Sequence, residues 1–269
     1  MNSDPVIKIV DVMMGGGKSS WAIQYMNQNP QKTFLYVTPF LTEIDRIKSA
    51  TNGRFFEPQN RGDGKLDGLK SLLAAGKDIA VTHQLLLHLD EEAKNLLHTG
   101  GYTCILDEEL DVVKSYGDVL SPTEKEDYKI KTDDVRYIVG EGLITIEPVD
   151  RDGKTGFVRW TGPHGYDNFQ YSRIRDFAEA GTLICVDGAA LFWMYPPDVF
   201  GLFEEVFVLT YQVEGSILYS YLLFHGLSFK KLGICGDRDS GYHLCEYSAE
   251  ADRQMRSAIA PLLHILGKL

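Results

Sequence analysis

The most informative stretch of the chain is VIKIVDVMMGGGKS, residues 6 to 19. Its first half, residues 6 to 12, is apolar and β-branched, which predicts a buried strand. Three glycines, residues 15 to 17, follow this strand, and residues 18 to 28 predict a helix. Small residues between a strand and a helix let backbone N–H groups surround a phosphate, and the helix N-terminus adds partial positive charge. The sequence therefore predicts a phosphate-binding loop.

Side chains at the end of this loop suit a bound nucleotide. The ammonium of Lys18 can reach the terminal phosphates, and the hydroxyl of Ser19 can ligate Mg²⁺. The common form of the motif has a glycine where this chain has Val12, so the match is to a variant of it. The expected cofactors are ATP and Mg²⁺. The residues expected to bind them are Gly15, Gly16, Gly17, Lys18, Ser19 and Ser20.

Apolar strands alternate with helices along the chain, which predicts an α/β fold with a parallel sheet covered on both faces. The later predicted strands are residues 33 to 38, 78 to 82, 102 to 106, 182 to 186 and 205 to 210. Because neighbouring parallel strands present their C-terminal ends to one crevice, residues that follow these strands are candidates for a shared site.

An acidic triplet, Asp107, Glu108 and Glu109, closes the fourth predicted strand. Hydrolysis of a metal-bound nucleotide needs one carboxylate in the Mg²⁺ shell and another to take a proton from the attacking water. We assign the first role to Asp107, with Ser19 as the other metal ligand, and the second role to Glu108. Lys18, Asp107 and Glu108 are therefore the predicted catalytic residues.

Five segments that follow the predicted strands resemble, in order, motifs I, Ia, Ic, II and III of superfamily 2, DEAD-like helicases. The chain is also similar to helicase-like ATPases encoded by bacterial phages, and the resemblance covers about residues 5 to 225. The matching segments are Val12 to Ser19, Thr38-Pro39, Thr82-His83, Asp107 to Glu109 and Asp187 to Ala190.

This resemblance implies an ATPase that acts on nucleic acid, with single-stranded DNA as the expected partner. The residues that it implies as nucleic-acid contacts are Thr38, Pro39, Thr82 and His83. It implies that Asp187 couples hydrolysis to strand movement, although the chain has Asp187-Gly188-Ala189 where the family often has Ser-Ala-Thr.

The resemblance further implies a RecA-like domain over residues 1–197 and part of a second RecA-like domain over residues 198–269. An insertion at about residues 115–171 interrupts the first, and alternating apolar residues within it predict a β-hairpin. The last segment, with a predicted helix from 249 to 266, has only about 70 residues and is short for an α/β domain.

The family completes its ATP site with arginines in a Q-x-x-G-R-x-x-R segment, and no such segment follows Pro197. Since such an arginine contributes about 10³- to 10⁵-fold in rate, the domain alone is expected to bind nucleotide better than it hydrolyses it. We expect either a truncated helicase or a site that a protein partner or a second copy completes.

Composition limits where and how the protein acts. Lys and Arg total 27 against 38 Asp and Glu, a net charge of -11, which excludes a protein that coats polyanions by bulk charge. Apolar runs are too short to span a bilayer, and the N-terminus has no signal layout, so no membrane partner is expected.

Four cysteines are too few for a disulfide framework, and Cys104 and Cys185 are predicted to be buried thiols. A cytoplasmic location is expected, the host cytoplasm if the protein is phage-encoded.

Other functions fit parts of the pattern. A nucleotide-binding adaptor would use ATP occupancy to switch a partner surface without separating strands. A small-molecule kinase is less favoured because adjacent Asp107 and Glu108 suit water activation. Cys235, His243 and Cys245 are a weak metal set and fit β-hairpin residues better. Basic and aromatic residues of the insertion fit either a strand-binding patch or a solvated hairpin.

Overall fold

The computed structural model describes residues 7–60, 62, 64–121, 123–163, 166 and 169–259. These residues fall into two compact units: unit 1 within residues 1–110 and 197–269, and unit 2 within residues 111–196. Residue 6 of the first predicted strand and residues 260–266 of the predicted C-terminal helix lie outside the described residues. Among the helices of these ranges, none combines the length and the apolar character needed to cross a bilayer.

Strands and helices are numbered here in chain order over the described residues. The strands are β1 (Ile7–Asp11), β2 (Thr33–Thr38), β3 (Phe55–Phe56), β4 (Asp78–Thr82), β5 (Tyr102–Asp107), β6 (Val113–Ser115), β7 (Ile144–Pro148), β8 (Gly156–Trp160), β9 (Leu183–Val186), β10 (Ala190–Met194), β11 (Glu205–Thr210), β12 (Phe229–Asp237) and β13 (Gly241–Glu246). The helices are α1 (Lys18–Gln28), α2 (Leu41–Ala50), α3 (Lys65–Ala74), α4 (His83–Leu86), α5 (Glu91–Gly100), α6 (Tyr116–Val119), α7 (Glu124–Asp127), α8 (Thr132–Gly140), α9 (Ser172–Glu179), α10 (Ile217–Phe224) and α11 (Ala249–Ile259). Short 3₁₀ segments span Phe169–Tyr171 and Pro197–Leu202.

Unit 1 contains a sheet in the order β13-β12-β1-β11-β5-β2-β4-β3. Its strands pair in parallel, except that β13 is antiparallel to β12. The central strands are buried along nearly their whole length, and their apolar side chains pack on α1 and α2 around Trp21, Phe34 and Phe207. The predicted α/β fold with a parallel sheet is therefore confirmed.

The position of β11 corrects the predicted domain boundary near residue 197. This strand was expected to begin a second domain, but it lies between β1 and β5 and pairs with both. Since its residues 206–210 are all buried, it completes the core of the first sheet. Residues 197–269 therefore belong to the same unit as residues 1–110, and the structure does not divide off a partial second RecA-like domain.

Unit 2 contains a five-stranded sheet in the order β6-β10-β9-β8-β7, and every pairing in it is antiparallel. The predicted hairpin is present as β7 and β8. The strand predicted at 182–186 is β9, however, and it joins this sheet rather than the parallel one. Apolar residues of α8 and α9 pack on the sheet, including Val135, Ile138 and Ile174. The insertion therefore extends beyond residue 171, because β9 and β10 share its core.

Candidate nucleotide-binding site

A cleft of about 700 Å³ lies in unit 1 where β1, β2, β5 and β11 end. Parallel strands present their C-terminal ends together, so the loops that follow these strands meet there. Its lining residues include Gly15, Gly17, Lys18, Ser19, Ser20, Thr38, Pro39, Phe40, Glu43, Arg46, Asp107, Glu108, Glu109, Thr210, Tyr211 and Tyr242. The glycine loop and the acidic triplet thus face one space.

The glycine loop leaves no room for side chains at two positions. Gly17 has φ +89°, and a Cβ there would lie 2.5 Å from Cε1 of Tyr242. At Gly16 a Cβ would lie 2.4 Å from Cγ1 of Val12. The carbonyl of Gly17 accepts the N–H of Trp21 at 2.8 Å, which begins α1 directly after the loop. The loop backbone therefore lies against the N-terminus of a helix, a geometry suited to an anion.

Lys18 folds back over this loop. Its Nζ donates to the carbonyl oxygens of Val12 and Met13, at 2.5 and 3.3 Å. Burial lowers the pKa of the Lys18 ammonium, and the carboxylates of Asp107, Asp11 and Glu108 offset part of that effect. A partly desolvated cation beside the loop suits a phosphate better than it suits neutral carbonyls.

Asp107 ends β5 and is 8% exposed. Its Oδ2 accepts a 2.6 Å hydrogen bond from the hydroxyl of Tyr36, a buried residue of the neighbouring strand β2. Burial raises the pKa of the Tyr36 hydroxyl and the Asp107 carboxylate raises it further, so Tyr36 stays a proton donor in this pair. The carboxylate of Asp107 and the hydroxyl of Ser19 line the same cleft and are oxygen donors of the kind that Mg²⁺ prefers. These residues fit the predicted metal.

Glu108 and Glu109 have different surroundings. Glu108 is exposed, has φ +73°, an uncommon conformation for a residue with a side chain, and donates its N–H to the carbonyl of Leu209. Oε1 of Glu109 accepts a 2.7 Å hydrogen bond from the hydroxyl of Thr210, the last residue of β11. The end of β11 is therefore linked to the acidic triplet by a backbone and a side-chain hydrogen bond.

The residues predicted to contact nucleic acid are divided between two places. Thr38 and Pro39 line the cleft, and Thr38 is fully buried. Thr82 lies opposite Thr38 in the parallel register of β2 and β4, and His83 begins α4. Thr82 and His83 are not among the lining residues of the cleft, although Thr82 ends the strand adjacent to β2. Their role in binding nucleic acid stays a prediction.

Asp187 follows a strand of the antiparallel sheet of unit 2 and not a strand of the parallel sheet, which corrects the assignment of a fifth motif there. It lies in the turn between β9 and β10 of unit 2, with φ +53° and its N–H donated to Oγ1 of Thr155. In the parallel sheet the strand between β1 and β5 is β11. Its last residue, Thr210, lines the cleft. A coupling role at Asp187, as the resemblance implied it, is not supported by this placement.

The sequence analysis misses three residues of the site: Arg46 and Tyr242, which line the cleft, and the buried Tyr36, which donates its hydroxyl to Asp107. Arg46 lies on α2 and forms an ion pair with Glu43 at 2.8 Å, with 47% of its side chain exposed. Both charged groups act on the pKa of Tyr36, Arg46 lowering it and Glu43 raising it. For Arg46 the only signal in the sequence is its i,i+3 spacing from Glu43. That spacing is also typical of an ordinary solvated helix face.

The hairpin of β12 and β13 carries Cys235 and Cys245, the two cysteines of the weak metal set. In the structure Cys235 and Cys245 form a disulfide across β12 and β13. His243 lies opposite Cys235 in the same ladder, as hairpin residues do. Within the described residues, no group of three or more His, Cys, Asp or Glu side chains is arranged to hold a metal ion. Cys104 and Cys185 are buried thiols, as predicted.

The parallel sheet and the loop between β1 and α1 define unit 1 as a RecA-like α/β fold. A family model described as the YonV middle domain matches residues 126–193, which lie inside unit 2. Over 265 residues the chain is 29% identical to the SPbeta prophage-derived uncharacterized protein YonV of Bacillus subtilis (strain 168). The alignment covers 94% of this chain and 60% of that protein, so the chain spans about 60% of the length of this curated relative.

Two solved structures are similar in fold. An apo XPD chain has a TM-score of 0.45 at 13% identity, with 85% of this chain and 55% of that chain covered. Xpd4 of S. tokodaii has a TM-score of 0.39 at 14% identity, with 86% and 57% covered. At these identities the similarity concerns the fold alone.

Proposed function

We propose that the chain binds and hydrolyses ATP with Mg²⁺ and couples this reaction to nucleic acid, in the manner of a helicase. The observation that carries the proposal is the meeting of Lys18, Asp107 and Glu108 in one cleft at the C-terminal ends of parallel strands. A cation on a glycine loop and two adjacent carboxylates are the set that phosphoryl transfer to water requires.

Each residue has a distinct task in this proposal. Backbone N–H groups of the loop and the ammonium of Lys18 bind the β- and γ-phosphates. Ser19 and Asp107 hold Mg²⁺, which when bound neutralises charge that develops on the phosphate oxygens. Glu108, exposed at the cleft, accepts a proton from water as its oxygen attacks the γ-phosphorus, and the bond to the β–γ bridging oxygen breaks to release ADP.

Arg46 supplies a second cation to the same cleft. Arg46 lies on α2 of the same unit as the glycine loop and lines the cleft. Its guanidinium is paired with Glu43 and lowers the pKa of the Tyr36 hydroxyl through its charge. We therefore propose that Arg46 stabilises the negative charge of the transferred phosphate group.

A single strand of DNA is the proposed polynucleotide. Thr82, which is partly exposed, ends β4 beside the buried Thr38, and the exposed Phe40 lies two residues after Thr38. The hydroxyl of Thr82 and the exposed ring of Phe40 suit a sugar-phosphate backbone and a stacked base. Since the chain carries a net charge of -11, such contact depends on this local surface.

The test measures ATP binding and phosphate release with and without single-stranded DNA. Lys18→Ala should lose nucleotide binding, whereas Glu108→Gln should keep binding and lose turnover. Stimulation of the wild type several-fold by DNA distinguishes a translocase from an adaptor that only binds nucleotide. Unchanged hydrolysis in both variants would refute the assignment of the site.

A further inference from the structure

The hairpin of β12 and β13 reaches beyond the end of β1 and onto α1. Residues Phe229 to Leu232 pair with β1, and β12 then continues to Asp237 past the last of these pairings. The side-chain amide of Gln24 holds the hairpin to the helix: its Nε2 donates to the carbonyl of Tyr242, and its Oε1 accepts the Tyr242 N–H, both at 2.9 Å. The hairpin is thus attached to the helix that begins at the glycine loop.

This attachment places the ring of Tyr242 over the loop. The ring lies against Gly17, where an added Cβ would be 2.5 Å from its Cε1. Tyr242 and Ser20 line the phosphate cleft and also a second groove of about 580 Å³ along α1. The two spaces therefore adjoin each other at Ser20 and Tyr242.

The second groove has the chemistry of a nucleoside site. Its lining combines an aromatic ring, a guanidinium and several carboxamide groups: Ser20, Ile23, Gln24, Asn27, Gln28, Arg238 and Tyr242. Aromatic rings and guanidinium planes stack on bases, and the carboxamides of Asn27 and Gln28 suit hydrogen bonds to base edges, whereas the carboxamide of Gln24 is occupied by the Tyr242 backbone. Asp107 and Glu108 lie in the phosphate cleft but not in this groove, so a triphosphate whose terminal group meets them can extend its other end past Ser20.

We propose that Tyr242 and the α1 groove bind the base and ribose of the nucleotide, with the Tyr242 ring stacked on the base. This inference rests on the proposed function, because it needs the triphosphate in the adjacent cleft. It assigns the β12–β13 hairpin a role in selecting the nucleotide. It also predicts a preference for purine over pyrimidine triphosphates, since the larger base offers more stacking area.

The test uses the full chain with Glu108→Gln throughout to prevent turnover, and measures binding of MgATP and of magnesium tripolyphosphate by calorimetry. Tyr242→Ala should weaken ATP binding roughly threefold to tenfold and leave tripolyphosphate binding within twofold. Tyr242→Phe should bind ATP like the parent. His243→Ala is the matched control, because adjacent strand residues face opposite ways and His243 lines neither space.

Each result separates this inference from the proposed function. Equal weakening of ATP and tripolyphosphate by Tyr242→Ala would mean that the ring only shapes the glycine loop, and would overturn the inference. Unchanged ATP binding in Tyr242→Ala would overturn it as well. Failure of the parent protein to bind either ligand would refute the phosphate site itself. A smaller ratio of ATP to CTP affinity in Tyr242→Ala than in the parent would support the stacked base.

Discussion

The Tyr36 hydroxyl donates a 2.6 Å hydrogen bond to Oδ2 of Asp107, joining the side chains of two neighbouring parallel strands at the edge of the cleft. Tyr36 is fully buried and its pKa is raised, so the hydroxyl remains protonated across the physiological range. The bond occupies one carboxylate oxygen and orients the other. Tyr36 is therefore a positioning residue for the group that we propose as a metal ligand.

Tyr36→Phe removes this bond while keeping the ring in the core. We expect the Mg²⁺ concentration for half-maximal ATP hydrolysis to rise about tenfold, because a less constrained Asp107 binds the metal less well. The free energy of unfolding should fall by about 1 to 2 kcal/mol. A magnesium titration of the hydrolysis rate and a urea unfolding curve measure the two effects.

The matched control is Tyr25→Phe, which also removes a tyrosine hydroxyl that donates to a carboxylate, here Glu205 at 3.1 Å. Glu205 begins β11, whereas the residue that bonds to the acidic triplet, Thr210, ends the same strand. This variant should leave the magnesium requirement unchanged. An equal rise in both variants would show that lost stability, and not the position of Asp107, causes the effect.

Arg46→Ala tests whether a cation of unit 1 acts on the transferred phosphate. Turnover should fall tenfold or more, with KM for ATP within about threefold, because the charge is needed most in the transition state. Arg46→Lys should recover part of the rate. Arg136→Ala is a suitable control, since Arg136 also pairs with an acid three residues earlier on a helix but lies in unit 2. A larger change in KM than in kcat would assign Arg46 to ground-state binding instead.

Local sequence patterns predicted the elements around the glycine loop well. The strand at Thr33–Thr38 and the helix at Lys18–Gln28 have the predicted limits, because apolar β-branched runs and flanking Gly or Pro residues mark them locally. The partners of β11 could not be predicted in this way. A parallel strand pairs with strands that are distant in sequence, and unit 2 lies between β5 and β11 along the chain.

The site could be predicted only where its residues follow strands in a recognisable motif. Lys18, Asp107 and Glu108 carry such a signal. Tyr36 looks like any core residue of a strand, and Tyr242 reaches the loop through a contact with Gln24 that spans 218 positions in sequence. Asp187 was misassigned because an acid after an apolar strand has the same local pattern in either sheet. Which of the two sheets the strand joins depends on its pairing partners, and no local sequence pattern specifies them.

Thr210→Val tests the link between β11 and the acidic triplet. The substitution keeps the shape of the side chain but removes the hydroxyl that donates to Glu109. Loss of this bond should lower kcat about tenfold, because Glu109 adjoins Glu108, the proposed base. The KM for ATP should stay within twofold, and Thr210→Ser should retain most of the rate. If Thr210→Ser loses as much activity as Thr210→Val, the methyl group and not the hydroxyl is what matters.

Glu205, at the opposite end of β11 from Thr210, contributes to the pH dependence of the stability of unit 1. Its carboxylate pairs with Lys8 of the adjacent strand β1 and with Lys32, which directly precedes β2. Burial alone would raise the pKa of this carboxyl, but the hydrogen bonds and charges of the two lysines outweigh it and lower the pKa to about 2. The carboxylate therefore stabilises the folded state at pH values above its unfolded pKa near 4.5, and this contribution is lost as pH falls toward 2.

Glu205→Gln should reduce the free energy of unfolding by about 2 to 3 kcal/mol at pH 7, after allowance for the 23% exposure of the side chain. The difference from the wild type should shrink between pH 5 and pH 2, because protonation removes the same charge from the wild type. Urea unfolding at a series of pH values measures this difference in the free energy of unfolding. Glu147→Gln, which breaks an exposed pair with Arg159, should cost less than about 1 kcal/mol at every pH. A Glu205→Gln deficit that stays constant down to pH 2 would mean that packing, and not the ion pairs, accounts for the loss.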